Sequence, residues 1–105
     1  MKAILIKASG ESGPVEVENT LEALQKAVGG YIETITLSPE CVMIVDEEGR
    51  LKGKPENIKA TQASSMNIVG DALVCGIDGE EFTDVPDHIE RLLHTLFGIG
   101  IGGRK

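Results

Sequence analysis

The sequence predicts an α+β fold: a mixed or mostly antiparallel sheet of about five strands with two helices packed on one face. Three observations carry this prediction. Asn19 to Leu37, NTLEALQKAVGGYIETITL, reads as a capped helix, a two-glycine stop and a strand. Three nearly continuous apolar runs, KAILIK (Lys2 to Lys7), CVMIV (Cys41 to Val45) and IVGDALVCG (Ile68 to Gly76), read as buried strands. Near the end, Ile89, Leu92, Leu93, Leu96 and Phe97 recur at i, i+3, i+4, i+7 and i+8, the spacing of an amphipathic helix. The expected order is β-β-α-β-β-β-α, and its opening β-β-α-β run also suits a β-grasp-like unit.

In chain order, KAILIK ends at the turn SGESGP, and Val15 and Val17 alternate with Glu16 and Glu18 as a short half-exposed strand. Asn19 is placed to cap the first helix, and Glu22 to complete a capping box. Leu21, Leu24 and Val28 give that helix an apolar side. Gly29 suits a left-handed helix stop, after which Tyr31, Ile35 and Leu37 alternate with polar residues. DEEG (Asp46 to Gly49) is a turn, and RLKGK (Arg50 to Lys54) is a short edge strand or an exposed return. Pro55 to Asn67 is polar and without period, which predicts a loop with at most a helical turn at its start. Gly70 and Asp71 predict a bulge or bend in the strand from Ile68 to Gly76. IDGE (Ile77 to Glu80) is a turn, and Asp84 is expected to cap the last helix, with Pro86 in its first turn. Residues 1–97 form one domain in this reading, and residues 98–105 a glycine-rich tail.

Composition narrows function mostly by exclusion. The 105 residues carry a net charge of −7 and only three aromatics, Tyr31, Phe82 and Phe97. Duplex DNA or RNA needs a basic surface, and single strands need stacking platforms, so no direct nucleic-acid partner is expected. No apolar run is long enough for a membrane helix, and Met1 leads straight into a strand without a leader, so a cytoplasmic protein is expected. Cys41 and Cys75 sit in apolar runs and are expected as buried, reduced thiols.

The residues MKAILIK, then VEVENTLEALQKAVGGYIET, the DEEG turn with LKGKPEN, and the later VGDALVCG strand with EEFT, form a pattern. It resembles a family of small domains of unknown function found in phages, plasmids and other mobile elements of Gram-positive bacteria. The likeness is close from Met1 to about Asn57 and looser from Ile68 to Asp84, and the insert ATQASSMN and the glycine-rich tail depart from it. The family has no assigned catalytic residues. The resemblance implies a cytoplasmic accessory protein of a phage or mobile element that acts on host machinery or host defence by binding.

No catalytic or metal constellation stands out. His88 and His94 lie six apart on the last helix and do not share a face, so no metal is expected. Acidic pairs such as Glu47–Glu48 and Glu80–Glu81 lie in turns, where a solvated role is expected. GIGIGG (Gly98 to Gly103) follows a helix rather than a strand and is no dinucleotide fingerprint. With Arg104 and Lys105 it could wrap an anion, add a strand to a neighbouring chain, or remain a solvated end. From Gly49 to Val69 there are four bases and one acid in an otherwise acidic chain. Arg50, Lys52, Lys54 and Lys59, with Asn57, Thr61, Gln62, Ser64, Ser65 and Asn67, supply positive charge and many donors in a short span. These ten residues, with Arg104 and Lys105, are the candidate ligand-binding set. The expected function is non-catalytic: a homo-oligomer that binds and sequesters a small anionic ligand of nucleotide type, such as a host defence signal, of which a cyclic nucleotide is one candidate, with no cofactor. The alternative is an acidic interaction module that inhibits a host protein as a partial DNA mimic.

Overall fold

In the computed structural model the described residues are 1–100; residues 101–105, including Arg104 and Lys105, lie outside them. The elements are β1 (Lys2–Ile6), β2 (Ser12–Glu16), α1 (Leu21–Val28), β3 (Ile32–Ser38), β4 (Cys41–Asp46), α2 (Ile58–Ser64), β5 (Ala72–Asp78), β6 (Glu81–Thr83) and α3 (Asp87–Phe97). The fold is α+β. Its sheet has six strands in the order β2-β1-β5-β4-β3, with β6 paired to the far end of β5. Every ladder is antiparallel, so the mixed-sheet alternative falls, and with it the β-grasp variant, whose central strands run parallel.

Strand periodicity explains why the central strands are apolar throughout. Successive side chains point to opposite faces, and both faces are covered. Ile4, Ile6, Met43, Val45, Ala72 and Val74 pack under α2 and α3, against Ala60 and Leu93. Ala3, Val42, Ile44, Leu73 and Cys75 pack under α1, against Leu24 and Val28. The helices therefore sandwich the sheet instead of sharing one face. The third helix, α2, occupies the stretch expected as a loop: Ala60 and Ala63 are small enough to lie close on the sheet, too weak a pattern for a period to show.

The local corrections have identifiable causes. The cap of α1 is Thr20, whose hydroxyl accepts from Ala23 N–H, while Asn19 donates to the carbonyl of Phe82. Asp84 does not cap α3, whose N-cap is Pro86; it accepts from Lys2 N–H at 2.8 Å and helps dock β6 beside β1. RLKGK is a series of turns, and the sixth strand is β6, which was not foreseen. Gly70 and Asp71 precede β5 instead of kinking it. On α3, Ile89, Leu93 and Phe97 join the core, whereas Leu92 and Leu96 are exposed. Past the left-handed Gly98, Ile99 N–H donates to the Leu93 carbonyl, and the Ile99 side chain is 1 % exposed, so the chain is still in the core two residues beyond α3.

Candidate functional site

The cationic segment after β4 is built around an acid. Asp46 ends β4, and its side chain has no exposure at all. The ammonium groups of Lys52 and Lys54 reach its Oδ2 at 2.9 and 2.7 Å, and its Oδ1 accepts from Glu48 N–H at 2.9 Å. The same lysines close the end of α1: Lys54 donates to the carbonyl of Val28 at 2.8 Å, and Lys52 to that of Gly29 at 3.0 Å. Two cations thus neutralise a buried carboxylate and complement the negative end of a helix. Burial pushes the Asp46 carboxyl up, but the hydrogen bonds from Lys52, Lys54 and the Glu48 N–H, with the charge of Lys54, outweigh it and hold the group down at about 2.

This arrangement explains both glycines of the stop. Gly29 sits at φ +84°, where a side chain is strained. At Gly30 a Cβ would run into Asp46 Oδ1 and Lys52 Nζ.

The remaining candidates divide. Arg50 donates to the carbonyl of Asn67 at 2.6 Å, which ties the turn after β4 to the segment after α2. Asn57 is fully buried: its Nδ2 donates to the carbonyls of Ile6 and Gly70, each at 2.8 Å, and its Oδ1 accepts from Ala60 N–H, capping α2. Thr61 Oγ1 accepts from Ile68 N–H, Ser64 Oγ accepts from Met66 N–H, and Ser65 closes α2 at φ 61°. Most of the expected donors are therefore turned to backbone groups of the same chain, and Gln62 and Asn67 are exposed.

Lys59 goes elsewhere. From the first turn of α2 it donates to the carbonyl of Gly98 at 3.2 Å, so the two segments singled out by sequence, 50–67 and 98–105, do meet there. Beside this contact lies an open cleft of about 550 Å³, lined by Lys59, Lys7, Glu11, Ser12, Gly98 and Gly100, with Leu5 and residues 13–15 of β2. Ser12 Oγ accepts from Gly100 N–H at 2.6 Å, while Lys7 is within 3.6 Å of Glu11. Lys7 and Ser12 were not among the expected site residues; in the sequence they read only as the end of a strand and part of a turn. The structure thus joins Lys59 to the start of the tail, and it separates both from Lys52 and Lys54. The expected roles of Arg104 and Lys105 lie outside the described residues.

Other chemistry finds little footing. Cys41 and Cys75 are free and buried, and burial pushes their thiols up to about 11 and about 12. His88 Nε2 lies 3.2 Å from Glu40 on the surface, and His94 Nδ1 lies 3.3 Å from the Ile99 carbonyl. Among the described residues no three acids, cysteines or histidines gather to hold a metal, and no helix is long and apolar enough to cross a membrane.

Residues 1–97 match the model of a family described as "Domain of unknown function (DUF3846)". No curated protein and no solved structure matches the chain. The chain belongs to the DUF3846 family of domains of unknown function.

Proposed function

We propose that this chain is a small non-catalytic binding protein that holds a small anionic ligand of nucleotide type in the cleft beside Lys59. The observation that carries this reading is the meeting of Lys59 with Gly98, beside a cleft that also has Lys7 on its wall. A volume of about 550 Å³ is of the size that small-molecule sites use. Gly13, Gly98 and Gly100 put no side chain on the cleft wall, which lets a ligand come close to the chain, and Lys7 and Lys59 bring positive charge that Glu11 offsets in part. Arg104 and Lys105 follow within five residues of Gly100 in the chain. Lys52 and Lys54 have no such part in this reading, because their charges are spent on Asp46 and the end of α1. In the wider role we propose, the protein is an accessory of a phage or mobile element, works in the host cytoplasm and sequesters a nucleotide defence signal. That role rests on the resemblance of the sequence.

Native mass spectrometry and calorimetry against a panel of cyclic mono- and dinucleotides test the proposal. Binding of at least one member, weakened about tenfold or more by Lys59→Gln, is the expected result. A panel with no binder contradicts it.

A second reading has its own observation. Glu16, Glu18 and Glu22 border one shallow depression beside the start of α1. An acidic surface of this kind suits docking on a basic host protein. A pull-down from host lysate at low salt would recover a partner that high salt releases, and a lysate that yields none counts against it.

A further inference from the structure

The two end strands of the β2-β1-β5-β4-β3 path present differently treated edges. At β2 the ladder to β1 includes Val17 N–H to the Met1 carbonyl and Lys7 N–H to the Glu11 carbonyl, in one continuous register. Hydrogen-bonded pairs alternate in an antiparallel ladder, so Ser12, Pro14 and Glu16 are the residues whose backbone faces outward. Pro14 has no N–H to offer there, and Gly100 crosses at Ser12. This edge is blunted, as exposed edges of soluble sheets usually are.

The edge at β3 has no proline and no crossing segment among the described residues, and its ladder to β4 is regular from Ile32 to Thr36, with a register shift only beyond, between Thr36 and Ser38. Glu47 N–H donates to the Tyr31 carbonyl at 2.8 Å, and the register runs on through Glu33↔Val45 and Ile35↔Met43. By the same alternation, Ile32, Thr34 and Thr36 turn their N–H and C=O groups outward. Among the described residues no hydrogen bond uses them. There is no proline in β3 and one charge, Glu33. Tyr31, at the start of this edge, is 63 % exposed.

We propose that β3 pairs antiparallel with β3 of a second copy of this chain, about a two-fold axis at Thr34, to make one continuous sheet across a homodimer. This register is self-complementary. Ile32 comes opposite Thr36 of the second copy and Thr34 opposite its own counterpart, so all three outward residues of each strand find partners. Glu33 faces Ile35 instead of another Glu33, and Tyr31 comes opposite Leu37, covering an exposed ring with an aliphatic side chain. Sliding the axis to Glu33 would set two carboxylates face to face, and sliding it to Ile35 would leave the outward groups of both Ile32 residues off the centre of the ladder. In the preferred register the two Glu33 residues are diagonal neighbours, roughly 7–8 Å apart, and repel weakly.

Sedimentation velocity tests the proposal. The wild type is expected to dimerise within the micromolar range, more tightly at higher salt. Thr34→Pro removes an N–H that β4 does not use, so it is expected to keep the wild-type circular dichroism and sediment as a monomer. Glu33→Gln is expected to tighten the dimer roughly twofold to fivefold at low salt. Thr34→Cys gives a readout that does not depend on proline being tolerated. Opposed hydrogen-bonded residues lie about 5.5 Å apart at Cα, within disulfide reach, so mild oxidation should cross-link this variant. Thr83→Cys, exposed on β6, should not cross-link. A wild type that stays monomeric at high concentration, a Thr34→Pro protein that dimerises like the wild type, or a Thr34→Cys protein that does not cross-link overturns the proposal.

Discussion

Lys54 reaches Asp46 at 2.7 Å and the carbonyl of Val28 at 2.8 Å, so one ammonium joins the end of β4 to the end of α1. The basic segment that follows β4 is thereby turned inward. An acid with no exposure needs its countercharges, and removing either partner leaves the other unpaired. Asp46→Asn is expected to cost about 2–3 kcal/mol, below the full cost of breaking a buried pair because Lys52 and Lys54 can still reach water. Chemical denaturation at neutral pH measures it, and a loss under about 0.5 kcal/mol would make the cluster a surface ornament.

The same carboxylate sets a pH dependence. Its folded value of about 2 lies below the ordinary aspartate value of about 3.9. A depressed acid stabilises the fold above the unfolded value, and that stability is lost as pH falls through the folded one. Stability should therefore drop between about pH 4 and pH 2, by about 2 kcal/mol from this group. The drop should shrink in Asp46→Asn, as read from urea midpoints across that range.

Gly30 lies against this cluster, where a Cβ would meet Asp46 Oδ1 and Lys52 Nζ. Gly30→Ala should cost roughly 1–3 kcal/mol. The cost should be smaller in a Lys52→Ala background, since the side chain that gives way is then missing. A double-mutant cycle with no coupling would show that the clash is relieved another way.

Asn57 is the strongest structural residue among the expected ligand donors. Asn57→Ala removes a helix cap and orphans the Ile6 and Gly70 carbonyls, for about 3 kcal/mol. Asn57→Asp keeps the cap but sets a carboxylate against two carbonyl oxygens, so it should be at least as damaging. Thermal melts of the two variants separate capping from carbonyl satisfaction.

Cys41 and Cys75 should resist thiol reagents in the folded protein and react fully in denaturant, since both thiols are buried and pushed to high values. Fast native labelling of either would place it at the surface.

The sequence made the frame legible where periodicity was strong. KAILIK and CVMIV are strands, the Gly29 stop is left-handed, and α3 has its apolar side. It was misleading wherever a polar residue had two possible duties. Lys52, Lys54 and Asn57 look alike as free donors until Asp46, Val28, Ile6 and Gly70 are brought beside them. Those partners lie from 6 to 51 positions away in the chain, beyond any local pattern. A hint was available in Asp46, an acid closing an apolar run with two lysines shortly after it. Helix α2 was hidden for another reason: seven residues with two alanines on the buried side produce no visible stripe.

An amide-resolved NMR titration with the tightest-binding cyclic nucleotide tests the central claim most directly. Saturable shifts are expected at Gly13, Gly98 and Gly100, around Lys59, with Gly29 and Gly30 beside Lys52 and Lys54 unmoved. Shifts confined to Gly29, Gly30 and the Asp46 cluster, or no shifts at any ligand concentration, would contradict it.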